Sequence, residues 1–231
     1  MALTETGVPG LSCTQGMRGK IFMRRFCSLL LTIVAALSLG ACAVGVKHEY
    51  EQLSADIRVK SPQIALGVHD QRPYVLDGTK KEDFTGLTRG GFNNPFDAST
   101  ASGKPMADDL AKAIADSLGR NGAQVTIVRL EPKMSKTDAI AKLSQSAPKA
   151  VLLTVQEWKT DLGYVFRHLC DLEMSVIGRN GAVLASERVA DSHEFKKDLD
   201  LPRKIFAREV PAVFKQHMEQ FFNTPAIAGA L

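Results

Sequence analysis

Cysteine, aromatic residues and long apolar runs are all scarce in this chain. Only 4 of its 231 residues are cysteine, 1 is tryptophan, and aromatics make up 6%. The apolar run from Phe26 to Leu39 falls short of the roughly 20 residues that span a bilayer, so no transmembrane helix is expected. Metal-ligand spacing is missing as well. His48, His69, His168, His193 and His217 form no HxH or HExxH, and no CxxC occurs. The phosphate-cradling pattern GxxxxGK(S/T) is absent, and Gly86, Gly90 and Gly91 do not spell GxGxxG. Asp191-Ser192-His193-Glu194 brings together the residue types of a hydrolytic triad. Without a nucleophile elbow such as GxSxG, however, it reads as a polar strand end. These absences lead to the expectation of no enzymatic activity, no catalytic residue, no metal and no cofactor.

What remains is an ordinary globular composition, 45% hydrophobic and 23% charged, sufficient for one sizeable domain. The formal charge of +4 is concentrated at the start. Of 29 basic and 25 acidic residues, Arg18, Lys20, Arg24, Arg25 and the single acid Glu5 fall in residues 1–41, which leaves 25 against 24. With no basic–aromatic platform either, nucleic acid is not an expected partner.

From Met23 a basic pair, Arg24-Arg25, precedes the apolar run and then small residues, the layout of a secretory signal. Leu39-Gly40-Ala41-Cys42 resembles the lipobox of bacterial lipoproteins. That resemblance implies cleavage before Cys42, lipid on its thiol and acylation of its new amino group. The competing readings are a plain secretory signal with an incidental cysteine, or an uncleaved anchor. An n-region beginning at Met17 or Met23 is better formed than one at Met1, so residues 1–41 are read as a start extension and signal peptide. Multiple acyl chains suffice for stable membrane attachment, making the membrane a partner through Cys42. In such lipoproteins an Asp after the cysteine marks inner-membrane retention. Ala43 stands there, so the resemblance implies an outer-membrane location facing the periplasm. With Cys13 and Cys27 in the leader and Cys42 lipidated, Cys170 is left alone and no intramolecular disulfide is possible. Its alternation with Tyr164, Phe166, Leu172, Met174 and Val176 predicts a buried apolar role for it, and for His168 beside it a satisfied core position.

Residues 42–61 are expected to be a tether, residues 62–222 one mixed α/β (α+β) domain in the order β-α-β-α-β-β-β-α with its helices on the sheet, and residues 223–231 a tail. Ile64, Leu66 and Val68 alternate in a first strand over 63–70. Met106, Leu110, Ile114 and Leu118 line one face of a helix over 105–120, with Asp108, Asp109 and Asp116 on its solvated side. A second strand is read over 124–130. Ser135 caps a short helix over 135–147. The apolar run 150–157 predicts a central strand, and Asn180-Gly181 a hairpin between strands over 164–177 and 182–190. A last helix over 203–222 contains Pro211, which is expected to kink or divide it.

The long stretch 71–104 reads as a loop, and its glycine-rich part carries the candidate binding site: Asp70, Arg72, Arg89, Gly90, Gly91 and Phe92. Two readings stand. Arg72 and Arg89 could face an anionic ligand, or the loop tucks Phe92 and Phe96 onto the sheet while Arg72 pairs with Asp70.

Val68-His69-Asp70-Gln71-Arg72, Arg89-Gly90-Gly91-Phe92-Asn93-Asn94-Pro95-Phe96 and the helix start Lys104-Pro105-Met106 resemble YajG-like periplasmic lipoproteins over residues 62–222. Asn93 stands where those relatives are expected to have glycine. The resemblance implies a lipid-anchored α/β domain without established catalytic residues. The function expected is a non-enzymatic binding or accessory module of an envelope assembly or transport complex, with an envelope protein as partner. The alternatives are a small-molecule or lipid binder using 71–104, or an auxiliary lipoprotein of a transporter.

Overall fold

A computed structural model of the chain describes residues 46–90, 92–195 and 202–231. The leader, Cys42 and Gly91 lie outside the described residues.

The frame is a parallel trio. β2 (Gln63–Asp70) lies between β5 (Gln124–Ile127) and β6 (Lys149–Leu162), paired in parallel with both. α2 (Met106–Gly119) leads directly into β5, and α3 (Lys136–Ser144) connects β5 to β6. Ile64, Leu66, Val151, Leu153 and Val155 join α2 in the main core, while Ala65, Ala150 and Leu152 join Ala139 and Leu143 of α3 in a smaller one. Strand residues of alternate parity thus serve the two faces of the sheet, which is why this part of β6 is apolar without interruption. Ser135 caps α3 as expected, its Oγ accepting from the Asp138 amide at 3.1 Å.

β6 is 14 residues long and outruns β2. Its far half pairs in parallel with β3 (Phe84–Arg89), and its other edge carries the meander β7 (Phe166–Gly178) and β8 (Val183–Phe195). The β6–β7 ladder shifts register between Val155 and Glu157, where β2 gives way to β3, and a bulge there raises the local twist. The Asn180-Gly181 turn forms, with Gly181 at φ 77°.

Three expectations need correction. The stretch 71–104 is no long loop: it contains the short helix α1 (Pro73–Leu76), β3, and β4 (Pro95–Thr100), which pairs antiparallel with β3. β1 (Lys47–His48) then pairs in parallel with β4. Residues 46–61 are not a free tether. Tyr50, Leu53, Ala55 and Ile57 are buried, held by the Ala55 amide donating to Ser117 Oγ (3.1 Å) and Asn121 Nδ2 donating to the Ile57 carbonyl (2.9 Å). Nor is the C-terminus a tail: after α4 (Pro202–Asn223) comes α5 (Pro225–Ala230), with Ile227 and Leu231 buried. Lys149 Nζ donates to the Ala230 carbonyl at 2.7 Å. α4 runs through Pro211 undivided. Its Val210, Phe214 and Phe221 are buried against the main core, and that packing offsets the hydrogen bond a proline removes.

Candidate functional site

The structure separates the candidate residues to the two ends of β3. At its start, Asp70 and Arg72 are buried. Arg72 Nε and Nη2 reach the Asp70 carboxylate at 2.8 and 2.7 Å, and Nη1 donates to the Phe84 carbonyl at 2.6 Å. Nη2 and Nη1 also reach the carbonyls of Glu82 (3.2 Å) and Trp158 (3.4 Å). This guanidinium fastens the end of β2 to β3 and β6 and does not present itself to a ligand.

At the far end, Arg89 closes β3 in a bidentate pair with Asp161 of β6, at 2.8 and 2.7 Å. Beyond it the β3–β4 tip turns tightly. The Gly90 amide donates to the Asn94 carbonyl (3.0 Å), the Asn93 amide to Gly90 (2.8 Å), and Asn93 sits at φ 62°. The left-handed position thus falls on asparagine, the residue type that best tolerates it after glycine. Phe92 is not tucked onto the sheet; it is 92% exposed, with Phe96 half-buried.

Sequence reasoning missed the other half of this feature, placing Tyr164 on the buried face with Cys170. β3 and β6 run in parallel and end together, Thr88 opposite Leu162, so the β6–β7 tip stands beside the β3–β4 tip. A Cβ on Gly163 would lie 2.7 Å from Arg89 Cδ and 3.4 Å from Asn93 Oδ1, so a side chain there would have to displace the Arg89 side chain between the tips. The second tip exposes Tyr164 (75%) and Val165 (42%). The available signal was Gly163 between two long alternating runs. Large exposed apolar side chains gathered on one projection mark an interaction surface more often than scattered ones do.

Elsewhere Asp109, His168, Cys170 and His217 are buried, whereas Asp191, Ser192, His193 and Glu194 are exposed on β8. Asp109, read as part of a solvated face, is buried, accepts from the single Ser102 hydroxyl, whose Oγ lies 2.9 and 2.8 Å from its two carboxylate oxygens, and burial raises its pKa to about 6. Cys170, His217 and Asp191 gather at β7, α4 and β8. Cys170 Sγ is 3.2 Å, and Asp191 Oδ2 4.0 Å, from the same nitrogen, His217 Nε2. A nucleophile relay needs the nucleophile and the orienting acid on opposite ring nitrogens of the histidine base. Burial also pushes the Cys170 thiol up to about 12, which keeps it protonated. His168 is buried against Trp158, ring centroids 4.3 Å apart, and neither of its nitrogens has a hydrogen-bond partner among the described residues. It is therefore not the satisfied core histidine expected; burial drives its pKa down to about 3. A groove of about 460 Å³ at the end of β2 is lined by His69, Gln71, Lys136, Thr154, Asp171 and Glu173. Its charges are already paired, Lys136 with Glu173 (2.7 Å) and Asp171 with Arg188 (2.6 Å). Among the described residues no cluster of His, Cys, Asp and Glu could hold a metal, and no helix is long and apolar enough to cross a membrane.

No family model matches the sequence, and no curated protein matches it significantly. Solved structures do. A protein of the DUF330 family from Xanthomonas campestris is 11% identical with a TM-score of 0.47, over 77% of this chain and 95% of its own. The lipoprotein GNA1162 from Neisseria meningitidis is 11% identical (TM-score 0.27, over 69% and 99%). The PelC dodecamer subunit from Paraburkholderia phytofirmans is 16% identical (TM-score 0.33, over 64% and 83%). All three likenesses are distant.

Proposed function

We propose that this chain is a lipid-anchored lipoprotein of the bacterial envelope, attached through Cys42 and working without enzymatic activity. Its role is that of a binding or accessory module in an envelope assembly or transport complex, and the paired hairpin tips are its contact surface. Ala43 after the lipidated cysteine supports an outer-membrane location facing the periplasm. The observation that carries the reading is the contrast between the two ends of β3. Asp70 and Arg72 are committed to the core, whereas Phe92, Tyr164 and Val165 are exposed on two neighbouring hairpin tips. Burying one such side chain is worth roughly 1.5–3 kcal/mol, so a partner that covers the tips gains what the monomer forgoes.

Photo-crosslinking in cells tests this, with the probe at Phe92 or Tyr164 and a control probe at Asn180. Discrete adducts from the first two positions and none from Asn180 are expected. A tip that yields no adduct and resists protease would make these hairpins structural and overturn the assignment.

A further inference from the structure

The sheet leaves one long edge open. Its other outermost strands are short, β1 with 2 residues and β5 with 4, and short edges offer little to a pairing strand. β8 has 13, and among the described residues only β7 pairs with it. From Val183 to Glu194 every residue is exposed or half-buried, and the strand holds neither proline nor lysine, the residues that commonly blunt an edge. Alternate residues along its outer side therefore turn a backbone N–H and C=O to solvent. The β7–β8 ladder fixes how much of that edge is regular. Its register shifts between Val176 and Ile177, where Leu184 is passed over, and then runs without interruption from Ala185 to Phe195. Ala190 is the midpoint of that stretch.

The charges on β8 discriminate among the ways two copies of it could pair. Two copies of one edge strand pair antiparallel about a twofold axis, so residues at equal distances on either side of the centre lie opposite each other on one face. The registers centred on Glu187, Arg188, Val189, Ala190 and Asp191 each engage most of the strand. All but one set like charges against each other: Glu187, Arg188 or Asp191 meets its own copy, or, about Val189, Glu187 meets Asp191. Like charges directly opposite destabilise a ladder. About Ala190 no like charges are opposed. Glu187 lies opposite His193, whose ring can donate to it, and Arg188 lies opposite Ser192 with Glu194 on its diagonal. At the axis the small Ala190 meets its own copy. The register that the charges select is therefore the one centred on the regular stretch.

We propose that a second copy of this chain adds its β8 to this edge, antiparallel and centred on Ala190, to give a dimer with one continuous sheet. The pairing spans Ala185 to Phe195, so the Asn180-Gly181 turn and the hairpin tips stay outside the ladder, and it requires no anchor at Cys42.

The test uses the full chain as cells produce it. Ala190→Cys should form an intermolecular disulfide on mild oxidation of intact cells, because opposed residues of an antiparallel pair hold their Cα atoms about 4.5–5.5 Å apart, within disulfide reach. Ser192→Cys and the parent chain should not give that product, since in this register position 192 is offset from its own copy by about 13 Å along the strand. In native mass spectrometry the purified parent should have the mass of two copies. Ala190→Glu, which sets two carboxylates against each other at the axis, should have the mass of one. Ala190 is exposed, so an unchanged far-UV circular dichroism spectrum is expected of that variant. A parent with the mass of a single copy, or of one copy plus a different protein, would overturn the proposal. So would a dimer that survives Ala190→Glu, or a disulfide that forms at position 192 in place of 190.

Discussion

Acidification should loosen α4 from the sheet, because three buried histidines line that contact. His48 stacks on Phe206 of α4 with ring centroids 3.3 Å apart, His168 lies against Trp158, which also meets Phe214 of α4, and His217 is itself on α4. Burial lowers His48 and His168 to about 3 and lowers His217 as well. The unfolded chain, with histidines near 6.5, then binds more protons than the folded one, so stability is complete above that pH and is lost as pH falls toward 3. At pH 5 each of His48 and His168 removes about 2 kcal/mol relative to pH 7.5, at 1.36 kcal/mol per unit. Asp109 acts in the opposite sense. With its folded pKa raised to about 6, it returns about 1 kcal/mol over the same interval. The net loss is about 3 kcal/mol, with His217 adding to it. Urea unfolding at pH 7.5 and pH 5, followed by the fluorescence of Trp158 (the only tryptophan), measures it directly. His168→Phe should cut the difference by about 2 kcal/mol, since it removes one titrating ring and two unpartnered nitrogens while keeping the volume. A variant that retained the full acid sensitivity of the parent would refute the reasoning.

Breaking the Arg72–Asp70 pair from one side, as in Asp70→Asn or Arg72→Met, strands a buried charge or the carbonyls it holds; a loss of about 3–5 kcal/mol is expected in denaturant unfolding. Gly86→Ala should lower stability by about 3 kcal/mol or more, because Gly86 has φ 151° and a Cβ there would lie 2.2 Å from the Thr160 carbonyl oxygen. Cys170 should react with a thiol reagent at pH 8 only after unfolding, as followed by mass spectrometry of native and denatured protein.

Much of the frame was legible wherever one period dominated. The alternation of Ile64, Leu66 and Val68, the four-residue spacing from Met106 to Leu118, the Ser135 cap and the Asn180-Gly181 turn each carry a local physical signature, and each appears in the structure. The hairpin β3–β4 was hidden because its buried positions include Thr85 and Thr100, and because Gly86 interrupts its pattern where it presses against β6. Leu53, Ala55 and Ile57 do alternate, but they run as extended chain along α2 instead of joining a ladder, so tertiary contacts alone decide their burial. The candidate site was half legible. Glycines and Phe92 marked one tip, whereas the contribution of Tyr164 and Val165 depends on β3 pairing with β6, which no local pattern states.

The lipid anchor is the premise on which the proposed localisation stands, and the most direct test is the mass of the N-terminal peptide of the protein taken from membranes. A peptide beginning at Cys42 and carrying diacylglycerol and an amide-linked acyl chain is the expected result, with Cys42→Ser leaving an unprocessed, unacylated precursor. Normal processing of Cys42→Ser, or an unmodified peptide at that position in the parent, would contradict the account.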